Sequence, residues 1–167
     1  MKKVLFLIAA SLLTAGAWAQ TIVSTTPENR NVVIEEYTGV GCGYCPDGHA
    51  RANAICQQYE GHAWAINIHQ GSYAQGSGYE TQWGDGLAGQ YSIRGYPCGT
   101  TNRCPSMQDR GQWAATAATI RGEVSPVNVA ATAVIDPNSR QMNIHVEMYY
   151  TGNQSVSSNY LNVVLIQ

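Results

Sequence analysis

Cys42 and Cys45 have the spacing for thiol–disulfide chemistry. They close the stretch Val32-Val33-Ile34-Glu35-Glu36-Tyr37-Thr38-Gly39-Val40-Gly41-Cys42-Gly43-Tyr44-Cys45-Pro46. A thiolate on the first cysteine is favoured where it meets the free N–H groups and dipole of a helix start. The two-residue spacer lets the second thiol attack a mixed disulfide made by the first. Cys42 is therefore the candidate nucleophile and Cys45 the candidate resolving thiol. The competing readings are a permanent structural disulfide and an inert motif on a binding module.

Three further cysteines complete the set. Cys56 shares an apolar helix face with Ala52, Ile55 and Tyr59. It lies about 16 Å along the helix from Cys45. That is too far for a bridge, so it is expected to be a buried free thiol. Cys98 and Cys104 flank a five-residue turn and are expected to form a structural disulfide. His49 follows Cys45 by four residues and can share its side of the helix. With Cys42, Cys45 and the distant His69 it would make a Cys/His metal site, the basis of a copper-carrier alternative. No second short-spaced ligand pair is present, so no metal is assigned. His62 and His145 are expected at the surface. Tyr73, Tyr79 and Trp83 are expected to pack under their Gly-rich loop rather than to stack on a ligand.

The elements that must position these residues follow from hydrophobic period. Residues 31–37 read as a strand that runs through a glycine turn into a helix over 46–59, with Pro46 in its first turn. Residues 62–69 read as a second strand, and 70–79 as a Gly- and Ser-rich loop. A weak helix follows, with Trp83, Leu87 and Tyr91 four residues apart. Residues 94–104 read as a strand turning around Gly99-Thr100-Thr101-Asn102, and 106–121 as an Ala-rich helix with Trp113, Ala117 and Ile120 on one side. Beyond Ser125-Pro126 the period becomes two, over residues 127–135 and 142–150 about an Asp136-Pro137-Asn138-Ser139 turn. Residues 160–167 read as a third strand, apolar on both faces. Three strands cannot close a sandwich, so 125–167 is expected to be a partial Ig-like β segment that is cut short. Its unpaired apolar edge invites self-association.

Met1 to about Ala19 reads as a secretory signal peptide. Lys2 and Lys3 precede an apolar run of about 14 residues, and Ala17-Trp18-Ala19 forms a small-x-small cleavage site. That run is short for a membrane anchor. The mature chain is expected in a compartment where disulfides persist. Charged residues make up 12% of the chain and the net charge is −2, so no basic stripe suggests nucleic acid.

The order strand, Cys-x-x-Cys helix, strand, helix, hairpin, helix resembles the thioredoxin fold, a central mixed sheet flanked by helices. Tyr91-Ser92-Ile93-Arg94-Gly95-Tyr96-Pro97 resembles the thioredoxin segment that ends in a cis-proline beside the active site. Glu36, six residues before Cys42, stands where that family keeps a buried acidic residue. The Gly43-Tyr44 dipeptide is similar to that of periplasmic disulfide isomerases. Glu36-Tyr37-Thr38-Gly39, Cys42-Gly43-Tyr44-Cys45-Pro46-Asp47-Gly48-His49, Gly95-Tyr96-Pro97 and Asn102-Arg103 together resemble the twenty-eight-kilodalton outer membrane protein family. Those are exported bacterial proteins with a thioredoxin-like part followed by β structure. The resemblance implies a thioredoxin-like domain over 20–124, with Glu36 relaying the Cys45 proton and Pro97 pairing with a client strand. It also implies a client groove lined by Gly41, Tyr44 and Tyr96. Gly41 stands where thioredoxins carry tryptophan, and Tyr96 where they carry a smaller residue.

The reading is an exported thiol–disulfide oxidoreductase or isomerase of the periplasm or outer membrane, with no cofactor. Its partners would be client thiols and disulfides, or an envelope redox protein. The alternatives are a non-catalytic, outer-membrane-associated binding protein and the copper carrier.

Overall fold

The computed structural model describes residues 21–153 and 155–166, and for Cys104 and Pro105 the backbone alone. The signal peptide expected at the N-terminus lies outside the described residues. Strand β1 (Val32–Thr38) is central and almost wholly buried. Helix α1 (Cys45–Gln58) carries the chain over to β2 (Ala63–His69), which pairs with β1 in parallel, Val32 opposite Ala63 and Thr38 opposite His69. A parallel pair needs such a crossover. After α2 (Gln82–Ala88), β3 (Cys98–Thr101) lies antiparallel to the other edge of β1, and β4 (Cys104–Asp109) pairs outside it. The sheet order is β2-β1-β3-β4, a mixed four-stranded sheet, and α3 (Trp113–Arg121) follows.

Two apolar layers cover this sheet. On one face Val32 and Ile34 of β1 pack with Ala52 and Ile55 of α1 and with Trp113, Ala117 and Ile120 of α3. Trp113 is fully buried. On the other face Tyr37, Ile68, Ala88 and Cys98 form a smaller core, flanked by Leu87, Tyr91, Ile93 and Met107. Side chains of a strand alternate between faces. Val32, Ile34 and Glu36 therefore look toward α1, while Glu35 and Tyr37 look away.

The chain turns between β3 and β4 at Asn102-Arg103, both at positive φ (51° and 55°). Two such residues make the tight turn whose twist suits a hairpin. The turn expected at Gly99–Asn102 is therefore displaced, and Gly99 to Thr101 belong to β3. Residues 104–109 become an edge strand, and α3 begins at Trp113 rather than Ser106. Residues 94–97 are not strand.

This register also corrects the expected Cys98–Cys104 disulfide. Cys98 is opposite Asp109, and Cys104 is opposite Thr101. The two cysteines are thus offset by three residues along the hairpin, about 10 Å. That exceeds the Cα separation a disulfide spans, and Cys98 is a buried free thiol.

A separate two-stranded sheet joins β5 (Val127–Ile135) and β6 (Met142–Tyr150). Residues 21–28 run beside its base. Asn128 donates to the carbonyls of Ser24 and Thr26 at 2.8 and 2.6 Å, and Glu147 accepts from the Ile22 and Val23 amides. The distal half of the hairpin is exposed. Residues 160–166 form no strand and their apolar side chains are exposed, which corrects the expected third strand. A short run of apolar and β-branched residues gives a segment strand propensity, but a strand also needs a hydrogen-bonded neighbour. Among the described residues the Ig-like expectation reduces to one hairpin. No described helix is long and apolar enough to cross a membrane.

Candidate functional site

Cys42 and Cys45 are joined in a disulfide with Cα atoms 5.4 Å apart. Strand β1 ends at Thr38, and the turn through Gly39 and Gly41 delivers Cys42 just before α1. The Cys45 amide donates to the Cys42 carbonyl at 3.2 Å, and Tyr44 caps the helix without a side-chain hydrogen bond. The first-turn N–H groups of α1 thus have no side-chain acceptor, and the positive end of the helix lies at the disulfide. Both cysteines are buried, Cys45 more completely, and Cys42 borders a cleft of about 380 Å³.

That cleft has aromatic walls. Tyr44, Tyr73 and Tyr96 line it together with Ile93, Arg94 and Gly95. Tyr73 is held against the turn, because the Gly41 amide donates to its carbonyl at 2.9 Å. A Cβ at Gly39 would lie 2.4 Å from the Tyr73 carbonyl carbon, so only glycine allows this approach. Tyr73 meets Tyr96 edge to face, and the Tyr96 hydroxyl donates to the Gln70 side-chain oxygen. The 70–74 loop and the segment before Pro97 are thereby fastened together. Tyr73, Tyr79 and Trp83 are exposed, contrary to the packing expected for them. Tyr73 helps form the cleft, and Tyr79 lies against His69. A second cleft of about 680 Å³ continues from the first through Arg94, Gly95 and Tyr96 toward β4.

The Tyr96–Pro97 peptide bond is cis, and Pro97 is buried against α1. A Cβ added at Gly48 would come within 2.9 Å of two Pro97 ring carbons and 2.5 Å of Glu36 Oε1. Gly48 therefore lets the helix, Pro97 and Glu36 meet, one turn beyond Cys45. Glu36 is completely buried. Its Oε2 pairs with His49 Nδ1 at 3.0 Å, while Oε1 is buried with no hydrogen-bond partner among the described residues. Burial pushes the Glu36 carboxyl above its ordinary range, and His49 only partly opposes this.

Cys98 follows Pro97 and faces the second core. Burial, Asp109 and Glu36 hold its thiol up to about 11. Cys56 is a free, half-buried thiol packed against the first core, and burial raises its pKa. His49 and His69 lie close enough for the charge of one to lower the pKa of the other, after burial. Among the described residues no three His, Cys, Asp or Glu side chains gather to hold a metal.

Cys42, Cys45, Glu36, Pro97, Tyr44 and Tyr96 thus gather around one helix end, with Gly41 in the supporting turn. Sequence reasoning gave Tyr73 and His49 other roles, loop packing and metal ligation, and gave Gly48 none. Tyr73 forms a wall of the cleft, Gly48 opens the space at Glu36, and His49 serves as the carboxylate partner. The Gly48-His49 pair, three and four residues after Cys45, was the available signal for the last two.

No protein-family model matches the chain, and no curated protein matches it. Among solved structures, HBP35 of Porphyromonas gingivalis is similar, with a TM-score of 0.53 and 20% identity. The match covers 65% of this chain and 38% of that one. At this identity the likeness concerns the fold alone.

Proposed function

We propose that this chain is a thioredoxin-fold protein that exchanges disulfides through Cys42 and Cys45. The observation that carries the reading is the disulfide at an uncapped helix start, bordering an open cleft and one helical turn from a buried carboxylate and a cis-proline. In the reducing direction, Cys42 thiolate attacks one sulfur of a client disulfide and the other client sulfur leaves with the electron pair. Glu36 then takes the Cys45 proton, and Cys45 attacks Cys42. A Cys42–Cys45 bond forms, the client is released as a thiol, and two electrons have passed to it. The opposite direction runs the same steps in reverse.

Tyr44, Tyr73 and Tyr96 would contact the client, and the backbone before Pro97 would pair with its extended strand. The resemblance to the twenty-eight-kilodalton outer membrane protein family and the N-terminal Lys2-Lys3 and Ala17-Trp18-Ala19 pattern support an exported, envelope-located protein. The exposed aromatic rim also fits the second reading, a binding scaffold whose Cys42–Cys45 bond stays closed.

Insulin reduction by dithiothreitol separates the two. The chain should accelerate it, Cys42→Ser should abolish the acceleration, and Cys45→Ser should accumulate a mixed disulfide through Cys42. A parent chain whose Cys42–Cys45 bond resists dithiothreitol and gives no acceleration would leave the scaffold reading standing.

A further inference from the structure

We infer that His49 is a positioning residue that connects the buried Glu36 carboxylate to solvent, so that the resolving step at Cys45 depends on a Glu36–His49 pair. The inference rests on the exchange chemistry proposed for Cys42 and Cys45.

A carboxylate that takes the thiol proton must give it up again before the next turnover. Glu36 has no contact with solvent. The hydrogen bond from its Oε2 leads to His49 Nδ1, and the His49 side chain is 34% exposed. Proton exchange between a sealed carboxylate and water therefore runs through the imidazole. The two carboxylate oxygens are placed for two different jobs. Oε1 has no partner and lies against Gly48 and Pro97, in the first turn of the helix that starts at Cys45. Oε2 is committed to His49. The far ring nitrogen, Nε2, is 3.5 Å from the Thr38 hydroxyl, which marks which way the ring is turned.

The electron and proton accounts close. The Cys45 S–H proton passes to the Glu36 carboxylate, and the carboxyl hands it to Nδ1 of an imidazole protonated at Nε2. Nε2 releases its own proton to water, and the ring regains the Nε2–H tautomer by exchange with solvent before the next turnover. Cys45 sulfur bonds to Cys42 sulfur as the Cys42–client bond breaks, and the client sulfur leaves with that electron pair.

The surroundings suit a relay with one entrance. From β2, His69 faces His49, and its own Nδ1 is buried without a hydrogen-bond partner among the described residues. Glu80 faces His69 from the loop before α2. From β3, Cys98 lies near Glu36 as a neutral thiol. Glu35 points to the opposite face of β1 and is taken by Arg103. Beyond His49, neither hydrogen bond nor ion pair joins Glu36 to another described side chain.

Rapid mixing of the reduced chain with one equivalent of 5,5′-dithiobis(2-nitrobenzoate) tests this. Attack by Cys42 releases the first thionitrobenzoate, and attack by Cys45 on that mixed disulfide releases the second. Cys45→Ser identifies the phases by removing the second. His49→Asn keeps a hydrogen-bond donor near the Nδ1 position but cannot take up and release a proton. It should slow the second phase about tenfold near neutral pH, a modest share of what acid–base groups contribute, and leave the first within about twofold. His49→Ala, an easy change in a helix, should slow the same phase, and added imidazole should restore it. Glu36→Gln should slow it too, with no further loss on adding His49→Asn. Equal slowing of both phases, an unchanged second phase in both His49 variants, absence of imidazole rescue, or additive losses in the double variant would each overturn the inference. If the parent chain gives no second phase, the exchange reading itself fails and takes the inference with it.

Discussion

On one face of β1, Glu35 is clamped by Arg103, whose Nε and Nη2 reach both carboxylate oxygens at 2.6 to 3.0 Å, and Thr100 donates at 3.2 Å. On the other face, Glu36 has His49 on one oxygen and nothing on the other among the described residues. The two residues are adjacent, chemically identical and both buried. Glu35 is fully satisfied and ties the β3–β4 turn, which carries Arg103, to the central strand. Glu36 is left short of partners at the end of the sheet where the disulfide sits. A buried polar group without a partner costs stability, so Glu36 is the less well held of the two carboxylates, and the exchange chemistry proposed for Cys42 and Cys45 would give it a use. Local strain and unmet polarity gather where function needs them.

The largest effect that would break this contrast is loss of the Arg103 clamp. Arg103→Met leaves Glu35 buried without its cation. Removing one partner of a fully buried pair costs roughly 3–5 kcal/mol. Arg103 is about a third exposed, so about 2–3 kcal/mol is expected here. The urea midpoint of the oxidised chain should fall accordingly. Glu35→Gln combined with Arg103→Met should recover most of the loss, because no charge is stranded. If Arg103→Met changes nothing, Glu35 is not held as its geometry implies.

Glu36→Gln should move stability the other way. Burial raises the Glu36 pKa in the folded chain above its ordinary value of 4.5. The folded state therefore binds that proton more tightly than the unfolded chain does. The stability this confers is complete below the ordinary value and is lost as pH rises through the folded one. Glutamine does not titrate. The variant should match the parent near pH 4 and exceed it near pH 8, by an amount on the order of 1–2 kcal/mol. Chemical denaturation of the oxidised chains at both pH values would measure this. A variant that is less stable at pH 8 would mean that His49 outweighs burial.

The alternation of β1 was legible in the sequence, and so was the Cys42–Cys45 helix start, because both are local. Apolar residues at Val32 and Ile34 set a face, and Glu36 falls on it by period two. The partners of the two glutamates were not legible. Arg103 reaches β1 from a hairpin turn 68 residues on and His49 from the helix that follows β1, and both contacts depend on how those elements dock. The Cys98–Cys104 reading failed for a related reason. Cysteine spacing sets loop length but not register, and register follows from the turn at Asn102-Arg103. Residues 106–109 joined the Ala-rich helix in the sequence reading, since short segments do not distinguish strand from helix by period alone. Residues 160–166 are a mostly apolar run of strand length, yet strand pairing is a tertiary property that the segment cannot carry by itself.

The smallest effect needs no change to either clamp and uses Cys98 as a reporter. Cys98 is buried at about 11 by desolvation first, then by Asp109 and Glu36. At pH 8 about one molecule in a thousand would carry its thiolate. Cys56 is half-buried and raised by burial alone. In the reduced, folded chain iodoacetamide should therefore label Cys42 first, Cys56 later and Cys98 last, because the thiolate is the reacting form. The comparison between the two glutamates enters through the third of the Cys98 causes. Glu36 charge disfavours the Cys98 thiolate, whereas Glu35, on the same face of the sheet as Cys98, is neutralised by Arg103. Glu36→Gln should lower the Cys98 pKa and speed its labelling modestly at pH 8, as read by peptide mass spectrometry. If labelling of Cys98 is unchanged in Glu36→Gln, then Glu36 carries no charge at that pH, and burial has raised its pKa beyond what His49 can offset.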